Sequence, residues 1–221
     1  RRLSDAAKTR LLLQLALALE AACDSILAAN QLDLTKMDDA DPKKDRLLLN
    51  PERIAALAGS IREVAALRDP CGAVLLDKIL PNGLRLKKIS VPLGVVGIIY
   101  ESRPNVTLDV SALCLRSGNA AVLRGGSDAL QTNRALTAII QDTLEQAGLS
   151  RDVIALLPPD RELVKDMLTA TRYIDVIIPR GSDALIRFVR ENSLVPVIET
   201  GAGVCHTYVH QSADLEKAKA I

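Results

Sequence analysis

Four stretches carry residue types able to do chemistry together. In "GVVGIIYESRPN", residues 94–105, an apolar run breaks into a carboxylate, a hydroxyl, a guanidinium and an amide: Glu101, Ser102, Arg103 and Asn105. "AAVLRGGSD" ends in Arg124, Gly125, Gly126, Ser127 and Asp128, and "DVIIPRGSD" in Arg180, Gly181, Ser182 and Asp183. "VPVIETGAG" closes on Glu199, Thr200, Gly201 and Gly203. Two of these are Arg-Gly-(Gly)-Ser turns opening a helical pattern. Glycine lets a ligand approach the backbone, the unpaired N–H groups of a helix start favour an anion, and arginine adds a bidentate phosphate contact. Gly followed by Ser or Asp is also ordinary turn and N-cap chemistry. Two related turns at one sheet edge favour the ligand reading over capping alone.

Other site chemistries find less support. Gly94 and Gly97 lie within the first strand candidate rather than after it, so the GxGxxG dinucleotide fingerprint fails on position, and there is no P-loop. His206 and His210 are four apart in "CHTYVH", which reads as a strand, where that spacing forms no compact metal site. No metal is expected. Cys205 sits beside Glu199 and His206, but its β-rich surroundings read as a buried small residue, and Cys114 falls in the apolar helical stripe "VSALCL".

These strand ends need a scaffold. From Gly94 onward, strand candidates at 94–100, 120–124, 153–157, 175–179 and 195–199 alternate with helical patterns at 107–117, 127–147, 160–170 and 181–192. That rhythm predicts an α/β domain with a doubly wound parallel sheet, in which ligands sit beyond the carboxyl ends of the strands. The four polar clusters should then share one crevice. Ahead of it, residues 4–68 read as helices, with Ser4 as an N-cap, Asn50-Pro51 as a cap followed by proline at N1, and leucines 11, 12, 15, 17 and 19 at helical spacing. "DDADPKKD", residues 38–45, reads as an exposed loop. Between these regions "GAVLLDKIL" and "LRLKKISV" flank Pro81-Asn82-Gly83, a hairpin signal and a candidate oligomerisation arm. The expected division is therefore 1–71 helical, 72–92 hairpin and 93–221 α/β.

Composition bounds the partners. The chain has 221 residues, 48% apolar and 25% charged, enough for a sizeable core. Its 28 basic and 27 acidic residues give no field for nucleic acid or an anionic membrane, and 2% aromatics give no base-stacking platform. Apolar runs fall well short of the ~20 residues of a membrane helix. Residues 1–30 read as an amphipathic helix pair rather than a secretory or transit segment. Four scattered cysteines without a CxxC pair fit a reducing cytoplasm.

The stretch "VPLGVVGIIYESRPNVTLDVSALCLRSGNAAVLRGGSDAL" resembles the gamma-glutamyl phosphate reductase family of the aldehyde dehydrogenase superfamily. The resemblance continues through "LLLNPERIAALA", "LPNGLRL", "DRELVKDML", "YIDVIIPRGSDALIRFV" and "VPVIETGAGVCHTYV". It implies a Rossmann-like fold of the aldehyde dehydrogenase type and NADPH-dependent reduction of L-glutamyl 5-phosphate to glutamate 5-semialdehyde with release of phosphate, the second step of proline biosynthesis. In that superfamily a cysteine thiolate attacks the acyl carbon, and hydride from the nicotinamide follows.

Carried over residue by residue, the resemblance places Arg124 where relatives hold the adenine ribose with a lysine. Ser127 falls near their ribose-reading glutamate, which suits a 2′-phosphate and hence NADP. Gly125, Gly126 and Arg180 join the cofactor turns, and Gly181 and Ser182 match the Gly-Ser turn at the cofactor phosphates. Glu199, a candidate catalytic residue, and Thr200 and Gly201, candidate cofactor contacts, match a segment beside the nicotinamide. Asn105 lies close to the oxyanion asparagine, with Arg103 competing for that place. Arg103 is the candidate phosphate contact, Ser102 beside it. The family's cysteine follows a segment resembling "NAKTQRPS", which puts it and a catalytic domain beyond Ile221. The partners expected are the substrate glutamyl 5-phosphate, glutamate 5-kinase and, through the 72–92 hairpin, further copies of the chain. The alternatives are a non-catalytic nucleotide-binding module and the reductase part of a bifunctional pyrroline-5-carboxylate synthase.

Overall fold

The computed structural model describes residues 3–38, 41, 44–101, 103–199 and 206–219. Helix α1 (Asp5–Ala21) starts at Ser4, whose side chain accepts from the Ala7 amide. Leu11, Leu12, Leu15 and Leu19 face the core, while Leu17 is 61% exposed, so the stripe is narrower than the run of leucines suggests. Helices α2 (Cys23–Leu34), α3 (Lys44–Leu47) and α4 (Pro51–Ala66) follow. Asn50 caps α4 by accepting from the Arg53 amide at 2.7 Å, with Pro51 at the first helical position. No single helix among the described residues is long and apolar enough to cross a membrane.

Strands β1 (Val74–Ile79) and β2 (Arg85–Ile89) form the antiparallel hairpin, turned at Gly83 with φ +85°. Neither face of it is buried: Leu75, Ile79 and Leu84 are 60%, 74% and 63% exposed.

The second sheet is parallel, with strands β3 (Val95–Tyr100), β4 (Ala120–Arg124), β5 (Ile154–Leu156) and β6 (Val176–Arg180) in the order β5-β4-β3-β6. Helices α5 (Pro104–Arg116), α6 (Leu130–Gln146), α7 (Arg161–Thr169) and α8 (Asp183–Asn192) connect and cover it. α5 begins at Pro104, three residues ahead of the expected start, because proline is pre-set for the first helical turn. The segment 195–199 is not a strand. It touches β6 through the single bridge Ile177↔Val197, with Ile177 donating to the Pro196 carbonyl at 2.8 Å and Ile198 donating back to Ile177 at 2.9 Å. Pro196 has no amide to extend the ladder. Residues 206–210 also lack strand structure, contrary to the reading of "CHTYVH".

Buried polar groups tie the helical layer to this sheet. The Asp33 carboxylate accepts from the Gln131 amide (3.1 Å), the Thr132 amide (2.8 Å) and the Thr132 hydroxyl (2.8 Å), capping α6 from α2. A short 3-10 turn, Ser127–Ala129, leads into that cap, so α6 itself starts later than the expected 127. Asn30 donates to Thr132 Oγ1 and to the Leu47 carbonyl and accepts from the Leu49 amide. Arg116, 4% exposed, reaches from the end of α5 to the Leu67 carbonyl and pairs with Asp5 at 2.7 Å. Lys8 pairs with Asp69 at 2.8 Å.

Candidate functional site

The polar strand ends meet at one edge of the parallel sheet. In register, Ile99 lies opposite Arg124 and Tyr100 opposite Arg180, so the residues following β3, β4 and β6 emerge side by side. Beneath them Tyr100 is 1% exposed and donates to Thr107 Oγ1 (2.6 Å), which donates to Asn133 Oδ1 (2.9 Å). Burial pushes the Tyr100 phenol up to about 12, so it stays protonated and serves as a fixed donor.

Glu101 turns toward β6. Its Oε2 accepts from the Ser182 amide at 2.8 Å, and Ser182 Oγ donates to its Oε1 at 3.2 Å. Ser182 also caps α8, its Oγ accepting from the Leu185 amide at 3.3 Å. The chain's own carboxylate thus holds the helix-start amide expected to meet a phosphate. Gly181 makes this approach feasible, since a Cβ there would lie 2.6 Å from Glu101 Oε2. Gly125 has a packing reason too: a Cβ would sit 2.3 Å from Asn133 Nδ2.

At the end of β4, Arg124 is half-buried and donates to the Pro159 carbonyl at 2.9 Å. Its Nε is buried and has no hydrogen-bond partner among the described residues. Burial, then the neighbouring Arg161, pull its guanidinium below the usual arginine range, against the opposing pull of Glu101, Asp128 and Asp160. An incompletely satisfied guanidinium beside Gly125, Gly126 and the exposed Ser127 offers an unused donor to an anion. At α8 an anion requires Glu101 to leave the Ser182 amide. Arg180 is exposed.

Arg103 and Asn105 belong to a different side of the same strand end. Both line a cavity of about 440 Å³ walled by α3 and α4, on which Asp109 also opens. Asn105 Nδ2 donates to Asp109 Oδ2 at 3.1 Å, one helical turn on, and burial pushes the Asp109 carboxyl up. The sequence reading missed Asp109; the Asn-x-x-x-Asp spacing on a helix was the signal available. Glu199 pairs with Arg190 of α8 at 3.3 Å. Ser102, Thr200, Gly201, Gly203 and Cys205 lie outside the described residues.

Cys114 is buried in α5, and burial pushes its thiol up to about 11. Its alkylation at neutral pH is expected to run about a hundredfold slower in the folded protein than in urea. Peptide mapping after a timed iodoacetamide pulse measures this; equal rates would return Cys114 to the list of nucleophile candidates.

A model of the aldehyde dehydrogenase family matches residues 1–221. The chain is 58% identical over 219 residues to the gamma-glutamyl phosphate reductase of Chlorobium chlorochromatii, covering 99% of this chain and 52% of that protein. It is 52% identical over 214 residues to the Legionella pneumophila protein of the same name, covering 97% and 51%. The chain therefore spans about half the length of the curated relatives it matches. The crystal structure of the Thermotoga maritima gamma-glutamyl phosphate reductase superposes with a TM-score of 0.89 at 40% identity, covering 99% of this chain and 54% of that one. A benzaldehyde dehydrogenase from Corynebacterium glutamicum shares the fold at a TM-score of 0.66 and 19% identity, covering 89% and 41%.

Proposed function

The chain belongs to the aldehyde dehydrogenase family, and from that premise we propose that it is the cofactor-binding part of a gamma-glutamyl phosphate reductase. The reaction is NADPH-dependent reduction of L-glutamyl 5-phosphate to L-glutamate 5-semialdehyde with release of phosphate, as a step toward proline. The observation that carries this reading is the identity to proteins of that name across nearly the whole chain, with the polar strand ends gathered at one sheet edge in support.

When bound, the nicotinamide cofactor supplies hydride to the acyl carbon. Arg124, Gly125, Gly126 and Ser127 would hold its adenosine end, with Arg124 toward a 2′-phosphate; Arg180, Gly181 and Ser182 would hold the phosphates once Glu101 releases the Ser182 amide. Glu199, Thr200 and Gly201 would lie toward the nicotinamide. Arg103, with Ser102, would receive the leaving phosphate, and Asn105 would donate to the oxyanion. The nucleophilic cysteine belongs to the half of the relatives' length that this chain does not span. The exposed apolar hairpin supports assembly of several copies through that arm, and the free thiols of Cys23, Cys71 and Cys114 support a reducing, cytoplasmic setting. Glutamate 5-kinase is the enzyme class that would deliver the acyl phosphate.

The test is the reverse reaction at the full length of the relatives, with L-glutamate 5-semialdehyde, phosphate and NADP⁺. Phosphate-dependent formation of reduced nicotinamide is expected; turnover indifferent to phosphate would overturn the reading. In the same assay Arg124→Ala should raise the NADP⁺ KM roughly ten- to a hundredfold while leaving kcat within a few-fold, as loss of a charge-assisted phosphate contact implies. An unchanged KM would take the 2′-phosphate away from Arg124.

A further inference from the structure

The cavity beside the start of α5 carries polar groups of both signs. Arg103, Asn105 and Asp109 come from the strand end and α5; Arg46 comes from α3, and Arg53 and Ser60 from α4. Its volume of about 440 Å³ suits a small metabolite. Arg53 is committed to the scaffold, donating to the Asp45 and Leu48 carbonyls and to the Asp45 carboxylate. Arg46 is exposed and pairs with no described residue. Asp109 is half-buried and lines the cavity, and only its Oδ2 accepts a hydrogen bond from a described residue. A partly desolvated carboxylate with one oxygen unsatisfied is best answered by a cation.

We propose that this cavity binds the amino-acid end of the substrate, the α-carboxylate against Arg46 and the α-ammonium against Asp109. The assignment rests on the reductase reading above. Two methylene groups separate the acyl carbon of a glutamyl phosphate from its α-carbon, so both ends of the molecule must fall within one small cavity. Arg103 and Asn105 stand at the reacting end, and Arg46 and Asp109 supply the opposite charges that a zwitterion needs. A dicarboxylate would meet Asp109 with like charge, and a simple aldehyde would leave Arg46 and Asp109 unanswered. Selectivity for the amino acid follows, because a site built for a charged donor rejects the analogue lacking it. Asp109 thus has two tasks, holding the Asn105 amide through Oδ2 and taking the ammonium through Oδ1.

The experiment compares kcat/KM for L-glutamate 5-semialdehyde and 5-oxopentanoate, which keeps the chain and carboxylate and lacks the amino group, in the protein at the full length of its relatives. The wild type should prefer the semialdehyde. Asp109→Asn, which keeps an oxygen to accept from Asn105, should lower that preference about ten- to a hundredfold, through the semialdehyde KM. Arg46→Met should raise KM for both compounds together and leave the preference intact. Inhibition of the wild type gives the same answer without a variant: L-glutamate should compete more strongly than glutarate. An unchanged preference in Asp109→Asn, or equal inhibition by glutamate and glutarate, would overturn the assignment while the reductase reading stands. A wild type that oxidises neither compound would overturn both.

Discussion

Replacing Asn105 with alanine is expected to lower kcat of the full-length enzyme about 10²- to 10³-fold, the usual loss when one oxyanion donor is removed. Asn105 occupies the second position of α5, half-buried, directly after the strand end. A side-chain amide has two N–H donors. Asp109 takes one at 3.1 Å, which fixes the plane of the group, and on the proposed assignment the other serves the developing negative charge. Because that charge exists only in the transition state, KM should change little. Arg103→Ala should behave differently: Arg103 is exposed, and its loss should raise KM for the acyl phosphate more than it lowers kcat. Steady-state kinetics with both variants separates the roles. If Asn105→Ala keeps wild-type kcat and Arg103→Ala loses it, the oxyanion belongs to the guanidinium.

The largest expected effect on stability comes from Asp33→Ala. Asp33 is 1% exposed, and its carboxylate satisfies two backbone amides and a hydroxyl at the start of α6. Its removal leaves three donors without that acceptor, the two of Thr132 buried, at a cost of about 3–5 kcal/mol. Nothing else among the described residues caps α6 with a side chain. The urea midpoint should fall, and the Gln131 and Thr132 amides should lose hydrogen-exchange protection first. An unchanged midpoint would mean that Thr132 and Asn30 re-pair without the carboxylate.

Much of this architecture was legible in the chain because its signals are local. Ser4 and Asn50-Pro51 announce their helices through capping chemistry, the Asn-Gly turn announces the hairpin, and β-branched runs alternating with helical spacing announce a parallel sheet. The fifth strand misled because Val195, Val197 and Ile198 carry strand propensity while Pro196 interrupts the donors. The site was legible as a set of strand ends and not as an arrangement. Glu101 grips Ser182 across 81 residues of sequence, and no spacing rule links the two. The division of one strand end between two places, Glu101 toward α8 and Arg103 with Asn105 toward α3 and α4, depends on which way consecutive side chains leave the strand and enter the helix. Arg46 lay in a polar, charged stretch that reads as surface, and only packing of α3 and α4 beside α5 turns it into a cavity wall.

The clasp between α2 and α6 also sets a clock. Asn30 and Asp33 emerge from the ribosome before Thr132, which follows them by 102 and 99 residues. At roughly 5–20 residues per second, these buried polar groups wait on the order of 5–20 s for their partner. During that interval the polar end of α2 lacks the partner that buries it, and a chaperone that shields nascent apolar helices would act there.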